Sequence, residues 1–456
     1  MDSLLLARWQ FGITTVYHFI FVPLTLGLAP LVAILQTFHY RTGDEAYGRL
    51  TKFFGTLFVI NFTLGVVTGI VQEFQFGMNW SEYSRFVGDI FGIPLAIEAL
   101  LAFFLESTFL GLWIFGRDRL PKAAHLACIW LVAIGSNLSA IWILIANSWM
   151  QVPVGYVLRN GRAELSDFVA IVLNERVLAQ APHTIIAGWV TGGLFVLGIS
   201  AWHLLRRHEV EMFRRSARIA LVFSFGAALL TATTGHTQAQ NTVKNQPMKI
   251  AAMEGLWDTE RPASFSLFAI HDQANHRSER DLRLPYLLSV LAHNNTTATV
   301  RGIKELQTEA EATHGPGNYV PPVAWVYWNF RVMVGLGLWF LFIGAWGLAN
   351  WWRRRLETDR WWQRLAALTL FLPFVANAAG WLVTELGRQP WVVYGLMRTS
   401  DGVSPNVGPI SVWISMVGFT LVYAVLAAVG FYLMHRFARP QEAVQAPGTP
   451  VEASIY

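Results

Sequence analysis

The sequence predicts an all-α, polytopic membrane protein. It has nine transmembrane helices, an outside N-terminus, a cytoplasmic C-terminus and one large outer loop between helices six and seven. Three observations carry this. Of 456 residues, 54% are hydrophobic and only 14% charged, against about 25% charged in a soluble domain. The apolar residues come in runs of ~20, the length that spans a bilayer. Basic residues cluster in alternate loops, which sets orientation by the positive-inside rule.

The spans follow in order. The first centres on Val16–Gln36. The start of the chain has no basic region and no small-residue cleavage site, so this run reads as a retained helix rather than a leader. Phe53–Phe74, Pro94–Phe115 and Leu126–Ala146 come next, then His183–Leu204. Ile219–Thr234 is the weakest, ending in a Thr/Gly/His-rich stretch. Trp325–Leu348, Leu365–Glu385 and Ile410–Met434 complete the set. Arg41, Arg49 and Lys52, then Arg117 and Arg119, then Arg206 to Arg215, then Arg353 to Arg360 fill every second loop. The chain thus divides into helices one to six (1–236), an outer loop (237–323), helices seven to nine (324–436) and a Pro/Ala-rich, disordered cytoplasmic tail (437–456). Within the loop, Arg301 to Ala312 suits a helix and Gly315–Gly317 a turn. A single cysteine, Cys128, excludes an intrachain disulfide and attachment of haem through paired thiols. The net charge of +5 is loop bias and implies no nucleic-acid partner.

Ionisable and ligating side chains inside apolar spans are costly, so each is a functional candidate. His18 lies on helix one, Glu98 and Glu106 on helix three, and His183 at the start of helix five. Arg331 and Met333 lie on helix seven, and Glu385 closes helix eight. The topology places all of them in the outer half of the bilayer. His, Met and carboxylate are haem axial ligands, and Arg pairs with propionates. On a regular helix Glu98 and Glu106 stand ~80° and ~12 Å apart, which suits two stations of a water-linked proton path. Taken singly, each has a plainer reading: His183 as an interfacial histidine, Met333 as packing, Glu385 as an interfacial charge. Lys249 and Glu254, as bare sequence, read as a solvated pair. The coincidence of depth favours a haem site over a proton-coupled transporter built on Glu98 and Glu106. A dihaem cytochrome b would need four histidines, and only His18 and His183 stand in the outer half.

Several words are recognisable. Trp9-Gln10-Phe11-Gly12 with Tyr17-His18-Phe19, Glu73-Phe74-Gln75-Phe76-Gly77, and Ile97-Glu98 through Glu106-Ser107-Thr108 resemble subunit I of cytochrome bd quinol oxidases, of the kind with a compact quinol loop. So do Gly135-Ser136-Asn137-Leu138-Ser139-Ala140, Asn147 through Gly155, Arg331-Val332-Met333 and Gly387-Arg388-Gln389-Pro390-Trp391. The resemblance runs from about Trp9 to Tyr432. It implies a bacterial inner-membrane enzyme that oxidises quinol at the outer face and reduces dioxygen to water with cytoplasmic protons, separating charge without a pump. It implies three cofactors: a low-spin haem b held by His183 and Met333, and a high-spin haem b and a chlorin-type haem d held by His18 and Glu385. Which of the last two sits on which ligand stays open. Glu98 would stand by haem d, Glu106 on the proton route and Trp381 between haems. Arg8, Arg331 and Arg388 would be haem-side cations, and Lys249 and Glu254 would belong to the quinol-oxidising segment. The implied partners are a second membrane subunit and, in some members, a small single-helix subunit.

Overall fold

The computed structural model describes residues 2–439. Among them, nine segments are long and apolar enough to cross a membrane. The first two are α1 (Ser3–Thr42) and α2 (Glu45–Met78). The third joins α3 (Ser81–Ile97), a π-helical stretch (Glu98–Phe103) and α4 (Phe104–Phe115). The fourth is α5 (Lys122–Gln151), which a short hairpin, β1 (Tyr156–Arg159) and β2 (Arg162–Leu165), follows. The fifth runs through α6 (Phe168–Val172) into α7 (Glu175–Leu205), and the sixth is α8 (Val210–Asn245).

The loop before the seventh span is well structured. It holds α9 (Pro247–Glu254), the strands β3 (Phe265–Asp272) and β4 (Arg277–Leu284), α10 (Leu287–His293) and α11 (Ile303–His314). The last spans are α12 (Val323–Trp352), α13 (Arg360–Thr369) with α14 (Leu372–Leu386), and α15 (Pro409–Ala438). A small hairpin, β5 (Trp391–Val393) and β6 (Met397–Arg398), precedes α15.

Helix ends follow the local chemistry. Asp44 caps α2 by accepting from the Ala46 amide at 2.9 Å, and Asn174 caps α7 through the Arg176 amide at 2.9 Å. Gly43, at φ 67°, closes α1. Most of the bundle core, around Leu28, Phe54, Phe58, Leu197 and Trp362, lies toward the arginine-rich end. A second cluster, with Ala251, Leu256, Val323 and Val326, seats the loop on the other end. The α7 span is the most enclosed, with 78% of its apolar window buried. It meets α1 along a seam of glycines. A Cβ on Gly188 would stand 2.9 Å from that of Leu26, and one on Gly27 would collide with the backbone of Gly188 and Gly192. Spacing small residues four apart is what lets two membrane helices touch backbone to backbone.

Two expectations are corrected. The sixth helix does not fade near Thr234 but continues to Asn245, past the expected boundary at 236. Its polar end has tertiary partners: Arg176 donates to Thr242 at 2.8 Å, and Glu175 accepts from Lys244 and Asn245. The last helix reaches Ala438, into the expected tail, while residues 440–456 lie outside the described residues.

Candidate functional site

His18 and His183 are prepared in the same way. His18 Nδ1 lies 2.9 Å from the Thr68 hydroxyl on α2. That hydroxyl already has carbonyl acceptors at Leu64 and Gly65, so it receives the Nδ1 hydrogen. His183 Nδ1 lies 3.1 Å from the Thr231 carbonyl on α8 and must donate to it. In each ring the tautomer is therefore set, and Nε2 is left as a bare lone pair. A glycine faces each ring. A Cβ on Gly69 would lie 3.1 Å from His18 Cε1, and one on Gly235 3.0 Å from His183 Cε1. Met333 turns toward α14, where a Cβ on Gly380 would stand 3.0 Å from its sulfur. Trp381, the next residue, packs edge-on against Phe19 at 5.2 Å, so it bridges the helix of Glu385 and the helix of His18.

Glu385 sits at the loop-bearing end of α14. It accepts from Asn147 Nδ2 at 3.1 Å and from Gln151 Nε2 at 3.5 Å, and it pairs with Arg388. Arg388 is buried, yet its Nε and Nη1 have no protein partner. Two unpartnered nitrogens on a buried guanidinium are expensive, and a carboxylate such as a haem propionate would satisfy them. Next to it a cavity of about 200 Å³ is lined by Pro247, Met248, Gln389, Trp391 and Tyr394. Imidazole, thioether and carboxylate donors on separate helices, glycine-cleared space and a buried arginine with two free nitrogens together fit haem. No group of three or more His, Cys, Asp or Glu among the described residues could cage a bare metal ion. Haem iron needs only one or two protein ligands.

The third span is where the structure departs most from a regular helix. The π-helical turn at Glu98–Phe103 is wider than an α-turn and advances fewer degrees per residue. Glu98 and Glu106 are consequently not splayed as a regular helix would place them. Both address one face of α5, where Glu98 meets Ser139 at 2.6 Å and Glu106 meets Ser136. Ser136 lies at the middle of α5, so Glu106 stands at mid-depth and not in the half nearer the loop. The Ser136 hydroxyl has one hydrogen and two oxygens within reach, those of Glu106 and of the Val132 carbonyl at 2.9 Å. A protonated Glu106 can donate to Ser136 while Ser136 donates to Val132. An ionised Glu106 accepts from Ser136 instead. The contact survives in either state.

Lys249 and Glu254 are not a solvated pair. Both are buried, 2% and 3% exposed. Five residues apart on α9, they face different ways. Lys249 donates to Gln151 Oε1 at 2.8 Å, one link from Glu385. Glu254 is clamped by Arg331 at 2.7 Å and 3.1 Å. Arg331 also donates to the Met253 carbonyl and to the Ser266 carbonyl, and it lies over the Tyr327 ring at 4.0 Å. Its donors are thus spent on the loop. Burial pushes the Lys249 ammonium well below the usual lysine range, helped by Arg176 and Arg388. Burial pushes the Glu254 carboxyl up, with Arg331 working against it. Arg8 is half-buried near the start of α1.

The site also holds residues that sequence reasoning missed. Arg176, 3% exposed, donates from Nε to Gln180 Oε1 at 3.2 Å. Gln180 Nε2 donates to Asn147 Oδ1 at 2.8 Å, and Asn147 reaches Glu385. Gln246 donates to the Gln151 carbonyl at 2.7 Å. A continuous polar net therefore joins Glu385 to Lys249 beneath the loop. The one available signal was the polar register Arg176–Gln180 at the start of an otherwise apolar span.

Comparisons with known proteins agree along most of the chain. The family model for cytochrome bd terminal oxidase subunit I matches residues 6–442. The chain is 48% identical over 437 residues to the cytochrome bd ubiquinol oxidase subunit 1 of Bacillus subtilis, covering 96% of this chain and 93% of that one. It is 40% identical to the cytochrome bd-II ubiquinol oxidase subunit 1 of Escherichia coli, covering 96% of each. That alignment runs over 498 positions, more than the 456 residues present, so the relative carries segments with no counterpart here. The fold matches the structure of bd oxidase from Geobacillus thermodenitrificans with a TM-score of 0.88 at 29% identity, covering 96% of this chain and 98% of that one.

Proposed function

We propose, from the premise that this chain belongs to the cytochrome bd terminal oxidase subunit I family, how its own residues divide the work of a quinol:dioxygen oxidoreductase. The family implies a multi-pass membrane enzyme, bound haem, a subunit II partner, quinol and dioxygen. The observation that carries the finer reading is the matched preparation of His18 and His183: Nδ1 tied across to a neighbouring helix, Nε2 bare, and a glycine opposite.

In this reading the loop-bearing end faces outside and the arginine-rich end faces the cytoplasm. His183 and Met333 hold a low-spin haem b. His18 and Glu385 would hold a high-spin haem b and a haem d, and the unpartnered Nε and Nη1 of Arg388 would be available to a haem carboxylate. The bound haems supply one-electron transfer and dioxygen chemistry. Every other step belongs to the protein. Lys249 and Glu254 line the place where quinol gives up its electrons, and its protons leave on the outer side. Glu254 takes the first proton, for which burial equips it, and Arg331 holds that carboxylate in place between transfers. Protons for water come from the cytoplasm through Glu106 and then Glu98, each kept in register by its serine. Electrons and protons thus reach the reduction site from opposite sides, and charge separates without a pump. Met333 packs against α14, and Trp381 belongs to it together with Glu385, so residues that would serve the low-spin and the reducing centres meet on one helix. A small third subunit completes the assembly where one is present.

The test is spectroscopic. His183→Ala and Met333→Leu are expected to remove the low-spin b signal and to leave far-red chlorin absorbance. If both variants keep that signal, the ligand assignment is wrong.

A further inference from the structure

The hairpin of β3 and β4 is built inside out. The register pairs Ser266 with Arg283 and His271 with Ser278, and it pairs Phe265 with Leu284 and Phe268 with Leu282. In a water-exposed hairpin the apolar set packs inward and the polar set faces out. Here, away from the turn, the hidden set is polar apart from Ala269, while Arg277, Glu279 and Arg280 stay exposed beside the turn. Ser266, 0% exposed, donates to Asp281 at 2.8 Å, receives the Tyr327 hydroxyl at 2.8 Å, and turns its amide to Glu254 at 3.3 Å. His271 bonds Ser278 at 2.9 Å, and Arg283 bonds Glu260 at 2.6 Å. The apolar set faces out: Leu267 at 42%, Phe268 at 44%, Ile270 at 45%, Leu282 at 59% and Leu284 at 41% exposed. Register shifts between Ser266 and Ile270 let Leu267 and Phe268, adjacent in sequence, both point outward. An exposed apolar patch backed by a buried polar layer is informative where a lone exposed leucine is not.

The patch continues a membrane-facing surface. Phe268 packs edge-on against Trp328 at 5.2 Å. Trp328 and Trp325 lie in the first two turns of α12, at the depth where aromatic residues mark the bilayer interface. Below them Val332, Leu338 and Phe342 are exposed along the same helix. The stripe therefore climbs α12 and passes onto the hairpin at Phe268, and it ends toward the turn at Glu279, the cross-strand partner of Ile270, which is paired with Arg277. Arg280, exposed on β4, suits a lipid phosphate, while Arg277 is paired with Glu279 at 2.9 Å, and Tyr286 suits the interface.

We propose that the β3–β4 hairpin seats its Leu267, Phe268, Ile270, Leu282 and Leu284 face in the lipid of the leaflet on the loop-bearing side, as a membrane-embedded wall of the extramembrane loop. The wall is one strand thick. Residue 266 bonds the Glu254 clamp, while residues 267 and 268 meet acyl chains, so an apolar molecule arriving through the lipid meets the outer side of the Glu254 site without crossing water. The seating stands on the hairpin's own side-chain pattern and does not depend on what Glu254 does.

The test uses the assembled oxidase in lipid nanodiscs, with nitroxide labels at Ile270→Cys and Leu282→Cys, and at Leu284→Cys should the Leu282 variant not assemble. Ala274→Cys, at the exposed turn, is the aqueous reference. The native Cys128 is buried. Collisional relaxation is read with molecular oxygen and with a water-soluble nickel chelate. Labels at 270 and 282 are expected to respond at least threefold more to oxygen than to nickel, relative to the label at 274. Equal nickel access at 274 and 282 would place the hairpin in water and overturn the proposal. Shielding from both reagents would show a protein partner on this face and overturn it equally. Oxygen consumption of each labelled enzyme reports separately on the quinol reading.

Discussion

Two sets of glutamates are handled in opposite ways. On the third span, Glu98 and Glu106 meet the hydroxyls of Ser139 and Ser136. At the loop-bearing end, Glu254 and Glu385 meet the guanidinium groups of Arg331 and Arg388. An arginine partner makes the ionised carboxylate electrically neutral as a pair, and such a pair can stand permanently in a poorly solvated place. A hydroxyl partner brings no charge. The serine-bound carboxyls are neutral only when they carry a proton, so any charge on them is temporary. The pairs hold a carboxylate in one place, whereas the serine-bound groups carry charge only in passing.

This contrast can be broken from either side. The largest effect is expected from Arg331→Met, which strips Glu254 of its only guanidinium and leaves a buried charge uncompensated. The cost should be about 3–5 kcal/mol, read as a lowered thermal midpoint and as early proteolysis within the loop. A variant as stable as the parent would mean that Glu254 needs no partner. Next, Glu106→Gln should cut oxygen consumption by about a hundredfold, the lower range for loss of a proton-transferring group, with the haem spectrum unchanged. Full turnover would end the proton role. Ser136→Ala should slow turnover about fivefold, the equivalent of one hydrogen bond of ~1 kcal/mol, and should do nothing further in the Glu106→Gln background.

The smallest effect concerns pH. Lys249 is held well below the usual lysine range by burial. Between that lowered value and about 10.4 the unfolded chain binds the proton that the folded chain lacks. Its burial therefore costs stability at neutral pH, and the cost fades as pH rises toward the unfolded value. Lys249→Met should stabilise the protein near pH 7, with a gain that shrinks steadily under alkaline conditions. A gain that does not vary with pH would mean that Lys249 stays charged in the fold.

The spans were legible because length and apolarity are local properties. Each expected centre falls within a helix. The ends were less so. The stretch from Thr234 to Asn245 is polar, and only Arg176, Glu175 and Asn294 across the fold show why it stays helical. The candidate ligands stood out as costly residues in apolar runs, yet their second bonds, to Thr68 and Thr231, come from other helices and left no trace in spacing. The π-helical turn has no signature in the run from Glu98 to Phe103, so the angle between Glu98 and Glu106 was misread. Lys249 and Glu254 looked solvated because charge usually is. Their burial comes from the loop folding down over them. The hairpin was invisible for the opposite reason: its alternation is present, but which face would point inward is decided by Tyr327 and Glu254, far away in the chain.

The seam of Gly27, Gly188 and Gly192 has a consequence for electrons. His18 hangs from one of the two helices it joins, and His183 from the other. Where backbones touch, no side chain lies between to compress, so the spacing of the two helices at this seam is set by the main chain itself. If His18 and His183 hold haems as proposed, electrons would pass between groups carried by these two helices, and tunnelling, which falls off exponentially with separation, would cross a spacing set by the least deformable part of the protein.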